Sequence, residues 1–152
     1  MTDKHIDQTY YMGLLGFLMS AKQHLVTVSS EFGLSGIQTI TLLLLNESKP
    51  HPMKSFCILY HCDASNITGI IDGLEKKGLV SRQSDNRDRR IKVIQLEEAG
   101  KKLQQSIIEK LDASRSSLFD PLSELEIQQL IHILEKFSAV VMPPDCNSQS
   151  AD

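Results

Sequence analysis

A chain of 152 residues suits one domain and can bury a core without staples. Apolar residues make up 41% and charged residues 23%, ordinary globular values, and no apolar run approaches the ~20 residues that a membrane span needs. The net charge of −3 excludes a protein coated in positive charge.

The polar, mixed-charge start from Met1 to Asp7 does not read as a signal peptide, so a cytoplasmic location is expected. The segment Gln8 to Phe32 reads as a helix, because Tyr10, Leu14, Phe17, Leu18, Ala21, Leu25 and Val28 recur at helical steps; Gly33 stops it. Leu34 to Leu45 is a second helix, with Ile37, Ile40, Thr41 and Leu44 on one side. Asn46 to Pro52, carrying two prolines, reads as a connector, with Pro52 suited to the next helix's first turn. Met53 to His61 forms a short third helix with Met53, Phe56, Cys57 and Tyr60 on one face. After a tight turn at Cys62-Asp63, Asp63 can cap a fourth helix, Ala64 to Lys77, that buries Ile67, Ile70, Ile71 and Leu74 before Gly78 ends it.

The period then changes. Leu79 to Ser84 and Ile91 to Leu96 are short and rich in branched residues, and between them lies the polar run Asp85-Asn86-Arg87-Asp88-Arg89-Arg90. A β-hairpin with a long charged tip is predicted. Two helices close the chain: Glu97 to Leu118, carrying Leu103, Ile107, Leu111 and Leu118, and Leu122 to Val141, carrying Leu125, Leu130, Leu134, Phe137 and Val141. The small, polar stretch 143–152 reads as a disordered tail.

Charge is unevenly spread. Ser65 to Leu96 holds seven basic and four acidic residues, a local excess of +3 in a chain whose remainder is −6. A basic segment inside an acidic chain suits a local polyanion site, or simply a solvated charged surface. Two short helices, a tight turn and a basic hairpin make a winged helix-turn-helix, which tips the choice towards double-stranded DNA. In such a unit the second helix enters the major groove and its N-terminal residues meet base edges. Its outward face is expected to hold Ser65, Asn66, Thr68, Gly69, Asp72 and Gly73. Ser, Thr and Asn can bond base edges, and an asparagine can pair with adenine in bidentate fashion. Lys76 and Lys77 can reach phosphates, or simply suit the negative end of the helix dipole. Arg87, Arg89 and Arg90 can enter a minor groove, and the hairpin's alternation would point Arg89 away from Arg90. Asp85 and Asp88, poor neighbours for phosphate, are expected to order the tip by bonding its N–H groups or orienting an arginine.

From Leu34 to about Leu103 the sequence resembles the MarR family of bacterial and archaeal regulators. The resemblance rests on Ile67-Thr68-Gly69-Ile70-Ile71-Asp72-Gly73-Leu74-Glu75-Lys76-Lys77-Gly78-Leu79-Val80, on the wing Asp85 to Arg90, and on Leu96-Glu97-Glu98-Ala99-Gly100. It implies a mainly α fold with a small β-hairpin wing, a winged head at 34–96 and a helical dimerisation region at 1–33 and 97–142. It also implies a triangular homodimer on a pseudo-palindromic operator, acting as a repressor that a small molecule can relieve. The family's wing arginine falls at Arg90 and its acidic partner at Asp88. Many members carry a long polar or basic residue where this chain has Gly69 and Gly73; the two glycines suggest close backbone approach to DNA, or a weaker reader. Family members often sense phenolic or lipophilic compounds between dimer region and head. Tyr10, Tyr11, Phe17, Met53 and Phe56 could line such a cleft, although aromatic and Met residues at helical spacing are more often core.

Other chemistries are poorly supported. There is no Gly-rich phosphate loop, nucleophile elbow or paired-His metal helix, so neither an enzyme nor a cofactor is expected. His51, Cys57, His61, Cys62 and Asp63 are permissible zinc ligands, yet their spacing matches no closed site. Three cysteines, Cys57, Cys62 and Cys146, suggest no disulfide framework, and Cys62 alone stands as a weak redox candidate. The nearest rival is a low-specificity, nucleoid-type DNA binder without an effector.

Overall fold

A computed structural model describes residues 8–114 and 119–141, the side chains of 137–141 excepted. The helices are α1 (Gln8–Glu31), α2 (Gly36–Leu44), α3 (Met53–Leu59), α4 (Ala64–Lys76), α5 (Glu98–Ala113) and α6 (Glu124–Val141). The strands are β1 (His51–Pro52), β2 (Val80–Ser84) and β3 (Lys92–Leu96), forming an antiparallel sheet in the order β1-β3-β2. The tail expected at 143–152, together with Cys146 and Leu118, lies outside the described residues.

Three of the helix ends share one chemistry. After α1, Leu34 N–H returns to Ser29 O at 3.0 Å and Gly33 N–H to Ser30 O at 3.1 Å, with Gly33 at φ +64. After α4, Leu79 N–H returns to Leu74 O and Gly78 N–H to Glu75 O, with Gly78 at φ +69. These are Schellman motifs, in which a left-handed residue turns the chain and satisfies the last carbonyls. The end of α3 has the same pair, Cys62 N–H to Cys57 O and His61 N–H to Ile58 O, but here His61 takes the left-handed position at φ +47. A non-glycine residue at that position gives no sequence signal, so the third helix was expected two residues too long.

Helix α2 starts at Gly36, two residues later than its apolar pattern suggests, and ends at Leu44. Ser35 caps it, its hydroxyl accepting from Gln38 N–H while Gln38 Oε1 accepts from Ser35 N–H at 3.0 Å, a capping box. The buried side is Thr39, Thr41, Leu42 and Leu45, and Ile37, expected inside, is 37% exposed. The face is rotated because the cap, not the leucine run, sets the first turn. The expected connector contains β1, whose two residues pair with β3 as His51 with Ile94 and Pro52 with Val93. His51 Nε2 accepts from Asn46 N–H at 3.1 Å and so holds the connector to the sheet. Pro52 ends that strand and stands as N-cap of α3 rather than within its first turn.

The core gathers Leu42 and Leu45 of α2, Phe56 of α3, Ile67, Ile71 and Leu74 of α4, Val80, Ile94 and Leu96 of the sheet, and Ile107 of α5. At the start of α5, Glu97 N–H bonds Leu79 O at 3.0 Å, and Gly100 lies so close that a Cβ would overlap the same carbonyl. Helix α5 closes at Ala113 and is tied to α1 by Lys110–Glu31 at 2.8 Å and by Ser114 Oγ with His24 Nε2 at 3.3 Å. By contrast, Tyr10, Tyr11, Met12, Leu14, Leu15, Leu18 and Met19 of α1 are exposed, as are Leu125, Ile131, Ile133 and Leu134 of α6. No helix among the described residues is long and apolar enough to cross a membrane.

Candidate nucleic-acid interface

Helix α4 begins at Asp63, whose Oδ1 accepts from Asn66 N–H at 3.0 Å and from Ser65 Oγ–H at 2.6 Å. The Ser65 hydroxyl first, and the Asn66 N–H next, hold the Asp63 carboxyl below the usual carboxylate range. The buried stripe is Ile67, Ile71 and Leu74, with Ile70, expected inside, only half-buried at its edge, and it turns Ser65, Asn66 and Gly69 to solvent. Thr68 is half-buried and its hydroxyl donates to Ala64 O at 2.7 Å, leaving its lone pairs and methyl for a partner. A Cβ at Gly69 would meet nothing within 4 Å, so this glycine opens a flat patch on the exposed face.

Gly73 has a different reason. A Cβ there would overlap the side-chain amide of Gln38, the residue that completes the α2 cap. The Gln38 side chain of α2 therefore fills the space beside this glycine. Lys77 is exposed, with its Nζ 3.9 Å from where a Gly33 Cβ would be, beside the end of α1. Lys76, in the last turn of α4, stays exposed.

The wing's strands stop at Ser84 and resume at Lys92, so its tip is a turn and strand alternation does not reach Arg89 and Arg90. Asp85 N–H bonds Ile91 O at 2.9 Å, closing the loop, and Asp85 Oδ1 accepts from Arg87 N–H at 2.7 Å and Asp88 N–H at 3.0 Å. Asp88 Oδ1 accepts from Arg90 N–H at 2.9 Å, while its carbonyl accepts from Ile91 N–H. The Asp88 and Arg87 amides hold the Asp85 carboxyl below its ordinary range. With both carboxylates turned inward on the backbone, Arg87, Arg89 and Arg90 are exposed, and none forms an ion pair among the described residues.

One residue sequence reasoning missed is Arg82, on β2. Its guanidinium pairs with the Asp72 carboxylate and donates to Thr68 O at 3.1 Å, joining the root of the wing to α4. Gln38 was missed as well; the Ser35-to-Gln38 spacing of a capping box was its available signal.

The residues expected to line a cleft differ in exposure. Phe56 is 1% exposed, its ring 6.2 Å from those of His51 and Tyr60, and it belongs to the core. Phe17 and Met53 are half-buried, whereas Tyr10 and Tyr11 stand exposed on α1, edge to face at 5.7 Å. Burial first, then Cys57 and Asp63, push the Cys62 thiol up, away from the reactive thiolate.

A capped helix presented on a helix-turn-helix beside an ordered basic hairpin defines a winged-helix DNA-binding regulator. The sequence profile of the MarR family matches residues 34–92. The HTH-type transcriptional regulator YpoP of Bacillus subtilis is 33% identical over 95 residues, spanning 62% of this chain and 67% of that one. The chain belongs to the MarR family. The fold is similar to the regulator BldR of Sulfolobus solfataricus, with a TM-score of 0.74 at 21% identity over 93% of this chain and all of BldR. It is also similar to CouR of Rhodococcus jostii RHA1, solved bound to p-coumaroyl-CoA, with a TM-score of 0.68 at 22% identity over 91% of this chain and 94% of CouR.

Proposed function

We propose that this chain is a cytoplasmic, sequence-specific repressor that binds a pseudo-palindromic operator as a homodimer, with 34–96 as its reading head and 1–33 and 97–142 as its dimerisation region. The observation that carries this reading is the exposed N-terminal face of α4, beside a wing tip whose carboxylates are spent on its own backbone. Ser65, Asn66, Thr68 and Gly69 face base edges, Lys76, Arg87 and Arg89 face the DNA backbone, and Arg90 enters the minor groove. A guanidinium suits that narrow groove because it stays charged and is cheaper to desolvate than an ammonium. The exposed apolar faces of α1 and α6 support dimerisation, since a lone chain leaves them in water.

The test is binding to DNA protected upstream of the protein's own gene, measured beside random duplex. Asn66→Ala should weaken operator binding by ~1–3 kcal/mol and leave random-duplex binding nearly unchanged. Equal losses on both would mean that α4 does not read bases. Equal affinity of the wild type for both, at every salt concentration, would favour the nucleoid-type alternative. Relief by a small aromatic or lipophilic effector extends the reading. CouR's solved ligand supports it by kinship of fold, and the half-buried Phe17 and Met53 are its nearest candidates here.

A further inference from the structure

We infer that Arg82 is a positioning residue for DNA recognition: it locks the recognition helix to the wing and screens two helix carboxylates, without itself touching DNA. The inference rests on the DNA-binding reading above and adds to it a residue outside the reading face.

The contacts of Arg82 all point one way. Its guanidinium pairs with Asp72 and donates to Thr68 O at 3.1 Å. Its backbone N–H donates to Glu75 Oε1 at 3.2 Å, and its Nε stands 3.6 Å from Glu75 Oε2. Thr68, Asp72 and Glu75 are spaced four and three residues apart, so they form one stripe along α4. A single residue of β2 thus grips that stripe at three points over about two turns, with its guanidinium at Thr68 and Asp72 and its backbone N–H at Glu75, which sets the rotation of α4 about its axis relative to the wing. The base-reading residues Ser65, Asn66 and Gly69 lie on the adjoining face of the same helix. A small rotation of α4 would carry them away from the groove while the wing stayed in place.

Charge gives the second half of the argument. Asp72 and Glu75 are 46% and 41% exposed, on the one helix that would lie against phosphates. Left unpaired, both would repel DNA. Arg82, only 27% exposed, is turned onto them rather than outward. Lysine could not replace it, because a compact ammonium lacks the planar fork that reaches a carboxylate and a backbone carbonyl together.

Operator affinity should be measured against salt concentration for wild type, Arg82→Ala, Arg82→Lys and the double variant Arg82→Ala/Asp72→Asn, with a thermal melt of each. Arg82→Ala should lose about tenfold in affinity with the slope of log K against log salt unchanged. Arg82→Lys should not recover it, and adding Asp72→Asn should recover part of it. A slope that falls by about one would show a direct phosphate contact and overturn the inference. Unchanged affinity for Arg82→Ala in a protein whose wild type binds would overturn it alone, whereas a wild type that binds no duplex would take the DNA reading down with it. Should Arg82→Ala not fold, Asp72→Asn with Glu75→Gln in an intact Arg82 background decides instead. Losing the grip should then weaken operator binding despite the removal of two negative charges, and tighter binding would overturn the inference.

Discussion

Gln104 of α5 donates its side-chain amide to Leu42 O of α2 at 2.9 Å. The same nitrogen reaches Leu45 O at 2.9 Å and Leu43 O at 3.4 Å, and the side chain is buried at 7% exposure. The last carbonyls of a helix need donors, and here they come from a residue about sixty positions away. Through this contact α5 anchors α2, on which α4 packs in turn.

Gln104→Leu should therefore cost ~1–3 kcal/mol of stability, because it takes the side-chain donor from the Leu45 carbonyl, while Leu42 O keeps only the Leu45 N–H. Urea unfolding at fixed protein concentration measures this. An unchanged midpoint would mean that water reaches those carbonyls.

Three glycines should respond differently to alanine. Gly69→Ala has open space and gains helix propensity, so it should stabilise by ~0.8–1 kcal/mol. Gly73→Ala must displace the Gln38 amide and disturb the α2 cap, which offsets that gain and leaves stability within ~1 kcal/mol of wild type. Gly100→Ala would press on Leu79 O, a backbone atom that cannot swing aside, and should destabilise by ~2 kcal/mol or more. The order of the three unfolding midpoints checks the reasoning, and Gly100→Ala ranking above Gly73→Ala would refute it.

The wing tip should loosen in acid. Asp85 is held below its ordinary range by the Asp88 and Arg87 amides, so its folded value lies under its unfolded one. The ordering it provides is fully present above the unfolded value and is lost as pH falls through the folded one. Protection of the Arg87 and Asp88 amides, taken relative to the intrinsic exchange rate at each pH, should persist at neutral pH and fall only in acid, below the usual carboxylate range. Fast exchange at neutral pH would show that the tip is not ordered by Asp85.

Removing a negative charge from the wing should weaken DNA binding rather than strengthen it. Asp88→Ala frees Arg90 N–H and with it the shape of the tip, although simple electrostatics predicts tighter binding. Improved operator affinity for this variant would mean that the loop acts as a charged surface without geometry.

In solution the chain should have the mass of two copies. A continuous series of exposed apolar residues on α1, Leu14, Leu15 and Leu18 among them, is a poor surface for a lone chain in water. Sedimentation at micromolar concentration should show a dimer, and Leu14→Glu with Leu18→Glu should shift it towards monomer. A wild-type monomer would end the proposal of a paired reading head.

The sequence by itself determined the order of the helices and of the hairpin, most of the buried stripe of α4, the Asp63 cap and the glycine stops at 33 and 78, because each depends on local periodicity or on one residue's backbone freedom. It carried the family as well, in the run from Ile67 to Arg90. Only the tertiary structure decided that β1 exists, that Gly73 answers to Gln38, that Phe56 is core, and that Arg82 grips α4 while Gln104 closes α2. Each of these is a contact between residues far apart in the chain. A two-residue strand has no period of its own, and a polar side chain looks solvated until the fold shows what it is pressed against.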